Sequence, residues 1–255
     1  MRLGFIGTGI ISSALVTGFC ESRIRDLSIM VSPRSRRRGS ELADKYPGMV
    51  QIADSNQEVL DGSDWIFLAV LPEQAEAVLV ELHFLPSHRL LNLVSSLGLG
   101  QAQEITGTLA LAADVVPLPF NARRTGPIVL YPRIPEAIEL LGHIGKVVTV
   151  DTPEQMAVLR SVTALMSSYY MLTATVVNWC REKGLEEEPA RDYVTSFFGA
   201  LNETAAGWRG ELDDLAHEMT PGGLNWQILQ NLTGQENFQG WSEALDPILE
   251  RVTKH

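Results

Sequence analysis

Cysteine is scarce in this chain: two in 255 residues, Cys20 and Cys180, far apart and never in a Cys-x-x-Cys pair. The five histidines, His83, His88, His143, His217 and His255, show no ligand spacing. A disulfide framework and a bound metal are therefore not expected, and the pattern fits a reducing, cytoplasmic compartment. Basic charge is short as well: 20 Lys+Arg face 31 Asp+Glu, a formal net charge of −11. Nucleic-acid binders gather Lys and Arg against phosphate, so no such partner is expected. Nor is there a convincing membrane span. The charge-free stretch 161–180 has the length, but Thr163, Ser167, Ser168, Thr173, Thr175 and Asn178 make it too polar to stand alone in lipid. It reads as a helix buried in protein or between subunits. The opening residues 1–20 are apolar, yet Gly4, Gly7 and Gly9 would break a secretion-signal helix.

What is present is ordinary globular composition, 45% hydrophobic and 20% charged. Charge divides unevenly: residues 1–150 hold 13 Lys+Arg against 15 Asp+Glu, residues 151–255 hold 7 against 16. Such a change of character suggests two units with different tasks. The first half alternates strands and helices. Strands are predicted at Arg2–Ile6, Leu27–Val31, Val50–Ile52, Asp64–Val70, Arg89–Val94, Leu109–Val116, Pro127–Leu130 and Lys146–Val150. Helices are predicted at Ile10–Ser22, Arg34–Tyr46 and from Pro72 to about Leu82. This alternation predicts crossover units and a largely parallel sheet. After Asp151 the strand signals stop, and helices are predicted near 153–183, 189–207, 211–219, 221–232 and 241–253. The expected architecture is an α/β chain: a Rossmann-type parallel-sheet domain over 1–150, then an all-α domain over 151–255.

The sharpest motif is Gly7-Thr8-Gly9-Ile10-Ile11-Ser12, directly after the first strand. Gly7 permits the tight turn, and Gly9 lets backbone approach a pyrophosphate at a helix N-terminus, where free N–H groups favour anions. Ser12 replaces the usual third glycine and is still small. The end of the second strand selects the dinucleotide: an acidic residue there suits NAD, an arginine suits the 2′-phosphate of NADP. This chain has Ser32-Pro33-Arg34-Ser35-Arg36-Arg37-Arg38 and no acid between Asp26 and Glu41. Arginines at a helix N-terminus oppose its dipole, a cost that a bound phosphate offsets. NADPH is thus the expected cofactor, with Gly7, Thr8, Gly9, Ile10, Ile11, Ser32, Arg34 and Ser35 at its phosphates. A second motif, Thr220-Pro221-Gly222-Gly223, reads as a capped helix start. Thr220 would be the cap and Pro221 its first turn, and the amides of Gly222 and Gly223 would be free for a carboxylate.

With Gly4-Phe5-Ile6-Gly7-Thr8-Gly9, Asn56, Phe67-Leu68-Ala69-Val70-Leu71-Pro72 and Thr220-Pro221-Gly222-Gly223 in view, the chain resembles the pyrroline-5-carboxylate reductase family nearly end to end. That family reduces a cyclic imine to proline with NAD(P)H, through a Rossmann domain and a helical domain in which two subunits interlock. The resemblance implies a homodimer or higher homo-oligomer. It places Asn56 near the adenosine half, Ala69, Val70, Leu71 and Pro72 near the middle of the cofactor, and Ser95-Ser96-Leu97-Gly98 near the nicotinamide. It makes Gly222 and Gly223 with Thr220 the carboxylate site.

Substrate-side residues depart from the family pattern. Asn225 stands where a Thr usually faces the imine nitrogen, although an Asn amide can donate and accept. Pro117-Leu118-Pro119-Phe120 replaces a Pro-Asn-Thr-Pro-like stretch, Met166-Ser167-Ser168-Tyr169-Tyr170 replaces a glycine-rich run, and Leu71 replaces a Lys. The expected roles are Asn225 at the ring nitrogen and Thr220 with the glycines at the carboxylate. Three alternatives stand beside this. A β-hydroxyacid dehydrogenase needs a helix Lys, and none lies between Gln155 and Glu182. A deazaflavin-dependent NADP reductase shares the N-terminal pattern but leaves Thr220–Gly223 unexplained. A non-catalytic NADPH sensor would explain the loss of the usual Thr.

Overall fold

The computed structural model describes residues 1–107, 109 and 111–253. Ala110, inside one predicted strand, and His255 lie outside the described residues. Eight strands form one sheet: β1 (Arg2–Ile6), β2 (Ser28–Val31), β3 (Val50–Ile52), β4 (Trp65–Leu68), β5 (Arg89–Asn92), β6 (Leu111–Val116), β7 (Pro127–Tyr131) and β8 (Lys146–Thr149). Their order is β3-β2-β1-β4-β5-β6-β7-β8. Neighbours are parallel except β6 and β7. The helices among them are α1 (Ile10–Cys20), α2 (Arg36–Lys45), α3 (Asn56–Asp61), α4 (Ala75–Val80), α5 (Leu99–Thr106), α6 (Pro135–Gly142) and α7 (Pro153–Val162). The apolar run of β4 is buried at all four positions, as a strand covered on both faces requires. Phe5 of β1 stacks on Phe67 of β4 at 4.5 Å, and Phe19 of α1 meets Phe67 edge-on at 5.6 Å. Those three rings fix α1 over the centre of the sheet, and with it the glycine turn that precedes α1.

Helices α3, α5 and α6 lie outside the elements predicted from sequence; each is eight residues or fewer, too short for its pattern to stand out. A signal for α3 was present in Ser55-Asn56-Gln57-Glu58. The Ser55 hydroxyl accepts from the Glu58 amide at 3.1 Å, and the Glu58 carboxylate accepts from the Asp54 amide at 2.6 Å.

The chain divides into two compact units, one of Met1–Arg160 with the residues from Arg251 onward, the other of Ser161–Glu250. The expected boundary near 150 gives α7 to the helical part. In the structure α7 belongs with the sheet because Met156 is buried with Val129 and Val150. The second unit contains α8 (Met166–Glu182), α9 (Glu187–Gly207), α10 (Leu212–His217), α11 (Leu224–Gly234) and most of α12 (Gln239–Thr253). The helix expected over 153–183 is interrupted by a 3-10 turn at Thr163–Leu165. Its charge-free part is only partly buried within the chain: Val177 is buried, whereas Tyr170, Met171, Leu172 and Trp179 are exposed. Among the described residues no helix is long and apolar enough to cross a membrane.

Candidate active site

The glycine turn leaves β1 at the point where strand order reverses, with β2 on one side and β4 on the other. Crevices beyond the carboxyl ends of strands at such a switch point are where open α/β sheets bind ligands. Gly7 adopts φ +97, and a Cβ there would meet the Ala69 carbonyl oxygen at 2.4 Å. Only glycine fits both the dihedral and the approach. At Gly9 a Cβ would meet nothing within 4 Å, so the backbone there is open to a ligand. The first helical bond of α1 runs from the Ser13 amide to the Gly9 carbonyl at 3.0 Å. No side chain caps this helix and no acid lies in its first turn. The amides of Ile10, Ile11 and Ser12 therefore face outward as an anion seat, and these features fit a dinucleotide pyrophosphate.

Side chains hold the turn from beneath. The Ser12 hydroxyl donates to the Gly7 carbonyl at 2.5 Å, so the serine in the third-glycine position adds a bond that glycine cannot make. Ser32 is 1% exposed and accepts from the Gly7 amide at 2.9 Å, while Thr8 donates to the Ser32 carbonyl at 3.1 Å. The expectation that Ser32 touches phosphate is corrected on this geometry: its hydroxyl braces the turn. The Thr8 side chain does the same, and only the backbone of Thr8 is placed to meet a ligand.

Arg34 is exposed, and its guanidinium donates to the Gln74 side-chain oxygen from the turn after β4. Ser35 precedes α2 without making a capping bond, and α2 opens on Arg36, Arg37 and Arg38 with no acid in its first turn. A cluster of guanidinium groups without a nearby acid is the kind of surface that suits a phosphate dianion. Asn56 is half-buried at the first position of α3. The Ala69 amide donates to the Ile6 carbonyl at 2.8 Å, which ties Ala69–Pro72 to the strand end beside Gly7. Val70 is half-buried, whereas Leu71 and Pro72 are exposed.

In the second unit, Thr220–Gly223 is a β-turn. The Gly223 amide donates to the Thr220 carbonyl at 3.0 Å and Gly222 adopts φ +74, the type II geometry for which Pro at the second position and Gly at the third are suited. Two expectations are corrected here. Thr220 does not cap the helix; Gly223 occupies that position and α11 begins at Leu224. The Gly223 amide is also spent in the turn. Among the described residues the amides of Gly222, Leu224, Asn225 and Trp226 carry no partner. Leu224 and Asn225 line an open cleft of about 870 Å³, together with residues including His217, Thr220 and Gly223. Asn225, on the first turn of α11, is exposed beside those amides.

Three polar residues of the first unit escaped the sequence reading. Asn92 ends β5 and pairs in register with Asp114 of β6. Its amide nitrogen donates to Asp114 Oδ1 at 2.8 Å and to the Leu97 carbonyl at 2.7 Å. Arg160 of α7 donates to the Ser95 carbonyl at 3.0 Å. Burial pushes the Asp114 carboxyl upward, against the opposing pull of the Asn92 hydrogen bond and the Arg160 charge. Burial likewise pushes Arg160 down, and Asp114 raises it. The available signals were a lone acid inside the apolar run Leu111–Val116 and an arginine directly before a charge-free stretch.

Fold and glycine turn together define a protein of the dinucleotide-binding Rossmann class. Residues 2–95 match the family model described as NADP oxidoreductase, coenzyme F420-dependent. The pyrroline-5-carboxylate reductase of Corynebacterium melassecola is 25% identical over 222 residues, 78% of this chain and 77% of that protein. Among solved structures, Plasmodium falciparum pyrroline carboxylate reductase with NADP bound superposes with a TM-score of 0.84 at 19% identity, covering 99% of this chain and 97% of the other. The 1-pyrroline-5-carboxylate reductase of Streptococcus pyogenes gives 0.83 at 19% identity, covering 100% and 99%. The resemblance drawn from sequence motifs is thus met by a sequence relative over most of the chain and by shared fold over nearly all of it.

Proposed function

We propose that this chain is an NADPH-dependent reductase of the C=N bond of a small cyclic imine, with 1-pyrroline-5-carboxylate, reduced to proline, as the first substrate to test. The observation that carries the proposal is the Gly7–Gly9 turn at the sheet's switch point, flanked by the Arg34 phosphate end. That arrangement sits in a fold shared along its length with pyrroline-5-carboxylate reductases. Bound NADPH would supply a hydride; the remaining work falls to the chain. Gly7, Thr8, Gly9, Ile10 and Ile11 hold the pyrophosphate by backbone, Arg34 and Ser35 hold the 2′-phosphate, and Asn56 with Ala69–Pro72 borders the body of the cofactor. The amides of Gly222, Leu224 and Asn225 hold the substrate carboxylate beside Thr220. The Asn225 side-chain oxygen accepts from the ring N–H. A cyclic iminium is already cationic near neutral pH, so no strong general acid is needed; placement in a dry site does most of the work.

The chain acts in the cytoplasm as a homodimer, with a second copy covering the apolar faces of α8 and α9. The test is NADPH consumption with pyrroline-5-carboxylate and pyrroline-2-carboxylate, run on the wild type and on Asn225→Thr. Turnover is expected with at least one imine, and Asn225→Thr is expected to shift the preference toward pyrroline-5-carboxylate. Tight NADPH binding with no turnover of any cyclic imine would replace this reading with a sensor.

A further inference from the structure

We propose that Arg160 is a positioning residue for the nicotinamide end of the cofactor site: it grips the Ser95 carbonyl and so holds the 95–98 backbone in the shape against which that ring lies. The inference rests on the NADPH reading above and extends it to a part of the chain that reading leaves unexplained.

The strand order supplies the first step. With the 2′-phosphate at Arg34 beyond β2 and the pyrophosphate at the turn beyond β1, the cofactor's other end extends past β4 toward β5. From β2 to β5 is three strand spacings, about 14 Å. The segment met there is the one leaving β5, Leu93–Gly98. At Gly98 its backbone is open: a Cβ there would meet nothing within 4 Å.

The second step is how that segment is held. Loops are mobile unless tied, and this one is tied at several carbonyls and amides. Asn92 accepts from the Val94 amide at 3.0 Å and donates to the Leu97 carbonyl at 2.7 Å. Arg160 donates to the Ser95 carbonyl at 3.0 Å. Asp114 accepts from Asn92 and lines the same cavity as Arg160. That cavity, of about 290 Å³, is lined by Ser95, Leu97, Gly98, Asp114 and Arg160 among others. A half-buried guanidinium near a half-buried carboxylate is costly to desolvate compared with an apolar pair of the same volume. Stability alone does not account for it, whereas a requirement for one fixed loop shape does.

The test compares Arg160→Met and Arg160→Lys with wild type. In the cofactor-free protein, amide hydrogen exchange across 93–98 should quicken about tenfold in Arg160→Met, while exchange in the Gly7 turn stays as in wild type. With NADPH, the ratio of NADPH to NADH dissociation constants should be unchanged, since Arg34 is untouched. The emission of bound NADPH should shift, and single-turnover hydride transfer should slow at least tenfold. Arg160→Lys should recover part of each loss. Unchanged exchange overturns the proposal. So does faster exchange with unchanged emission and transfer, which makes Arg160 a structural residue only. Should Arg160→Met fail to fold, Arg160→Lys is read in the same way, with wild-type behaviour in all three measurements counting against the proposal. A wild type that does not bind NADPH overturns the cofactor reading and the inference with it. A wild type that binds NADPH but reduces no imine overturns only the assigned reaction, and exchange with emission then decides Arg160.

Discussion

The two units bury their apolar residues in different ways. In the sheet unit the largest fully buried side chains, Phe5, Phe19, Phe67, Leu15, Ile66 and Leu90 among them, form a continuous interior on both faces of the sheet. In the helical unit the buried cluster consists of Val177, Ala190 and Val194. Around it Tyr193 is 71% exposed, Phe197 48% and Leu224 81%, and every carboxylate between 161 and 250 is exposed as well. Apolar surface on that scale is of the kind that macromolecular interfaces present. The sheet unit encloses its large apolar side chains, whereas among the described residues the helical unit leaves many of its own in solvent. In the reading proposed above, a second copy of the chain covers them.

The contrast is broken or upheld most directly by paired truncations. Phe67→Ala removes a ring that stacks on Phe5 and meets Phe19, and should cost about 3–5 kcal/mol in urea unfolding. Tyr193→Ala, in protein dilute enough to be monomeric, should change stability by no more than about 0.5 kcal/mol. Equal losses would show that the helical unit has an interior of its own. Next comes association. Tyr193 and Phe197 stack at 6.2 Å on the exposed face of α9. Replacing both by Asp should raise the dimer dissociation constant roughly a thousandfold, as for two buried aromatic anchors. Light scattering that finds the double variant still dimeric at low micromolar concentration would move the interface elsewhere.

A smaller effect separates the recognition ends of the sheet unit. Arg34→Ala removes a charged donor from the phosphate end and should weaken NADPH roughly 10- to 100-fold, with little change for NADH. Calorimetric titration with each nucleotide reads the ratio, and equal small changes for both would remove Arg34 from the 2′-phosphate site.

Sequence reading was surest where one local signal controls one local structure. The apolar runs of β1 and β4 and the glycine spacing before α1 were readable because a buried parallel strand and a tight turn leave few residue choices. Thr220-Pro221-Gly222-Gly223 reads in sequence as a capped helix start, whereas in the structure it is a β-turn and the helix begins at Leu224. Thr, Pro and Gly favour a helix cap and a type II turn alike, and only the Gly222 dihedral separates them. Ser32 was assigned to phosphate because a hydroxyl at that strand end can face either way. Whether it turns inward depends on the Gly7 amide 25 positions earlier. The Asn92–Asp114–Arg160 group was invisible for the same reason, since its members come from β5, β6 and α7 and meet only when the sheet is assembled.

Asp114 also gives the finest test of the difference between the units, because it is a half-buried carboxyl in the sheet unit whereas the helical unit keeps its carboxylates in water. Its shift is upward, chiefly from burial, with the Asn92 hydrogen bond and the Arg160 charge opposing. A carboxyl whose pKa is higher folded than unfolded binds more protons in the native state between the two values, so stability falls as pH rises through that interval and is level above it. Asp114→Asn keeps an acceptor for Asn92 and removes the titration. Relative to wild type it should therefore gain stability as pH rises from the ordinary carboxyl range, about 4, toward neutrality, and the gain should be absent below that range. Urea midpoints from acid to neutral pH measure it. Parallel profiles for wild type and Asp114→Asn would mean that the Asn92 hydrogen bond and the Arg160 charge together balance the burial.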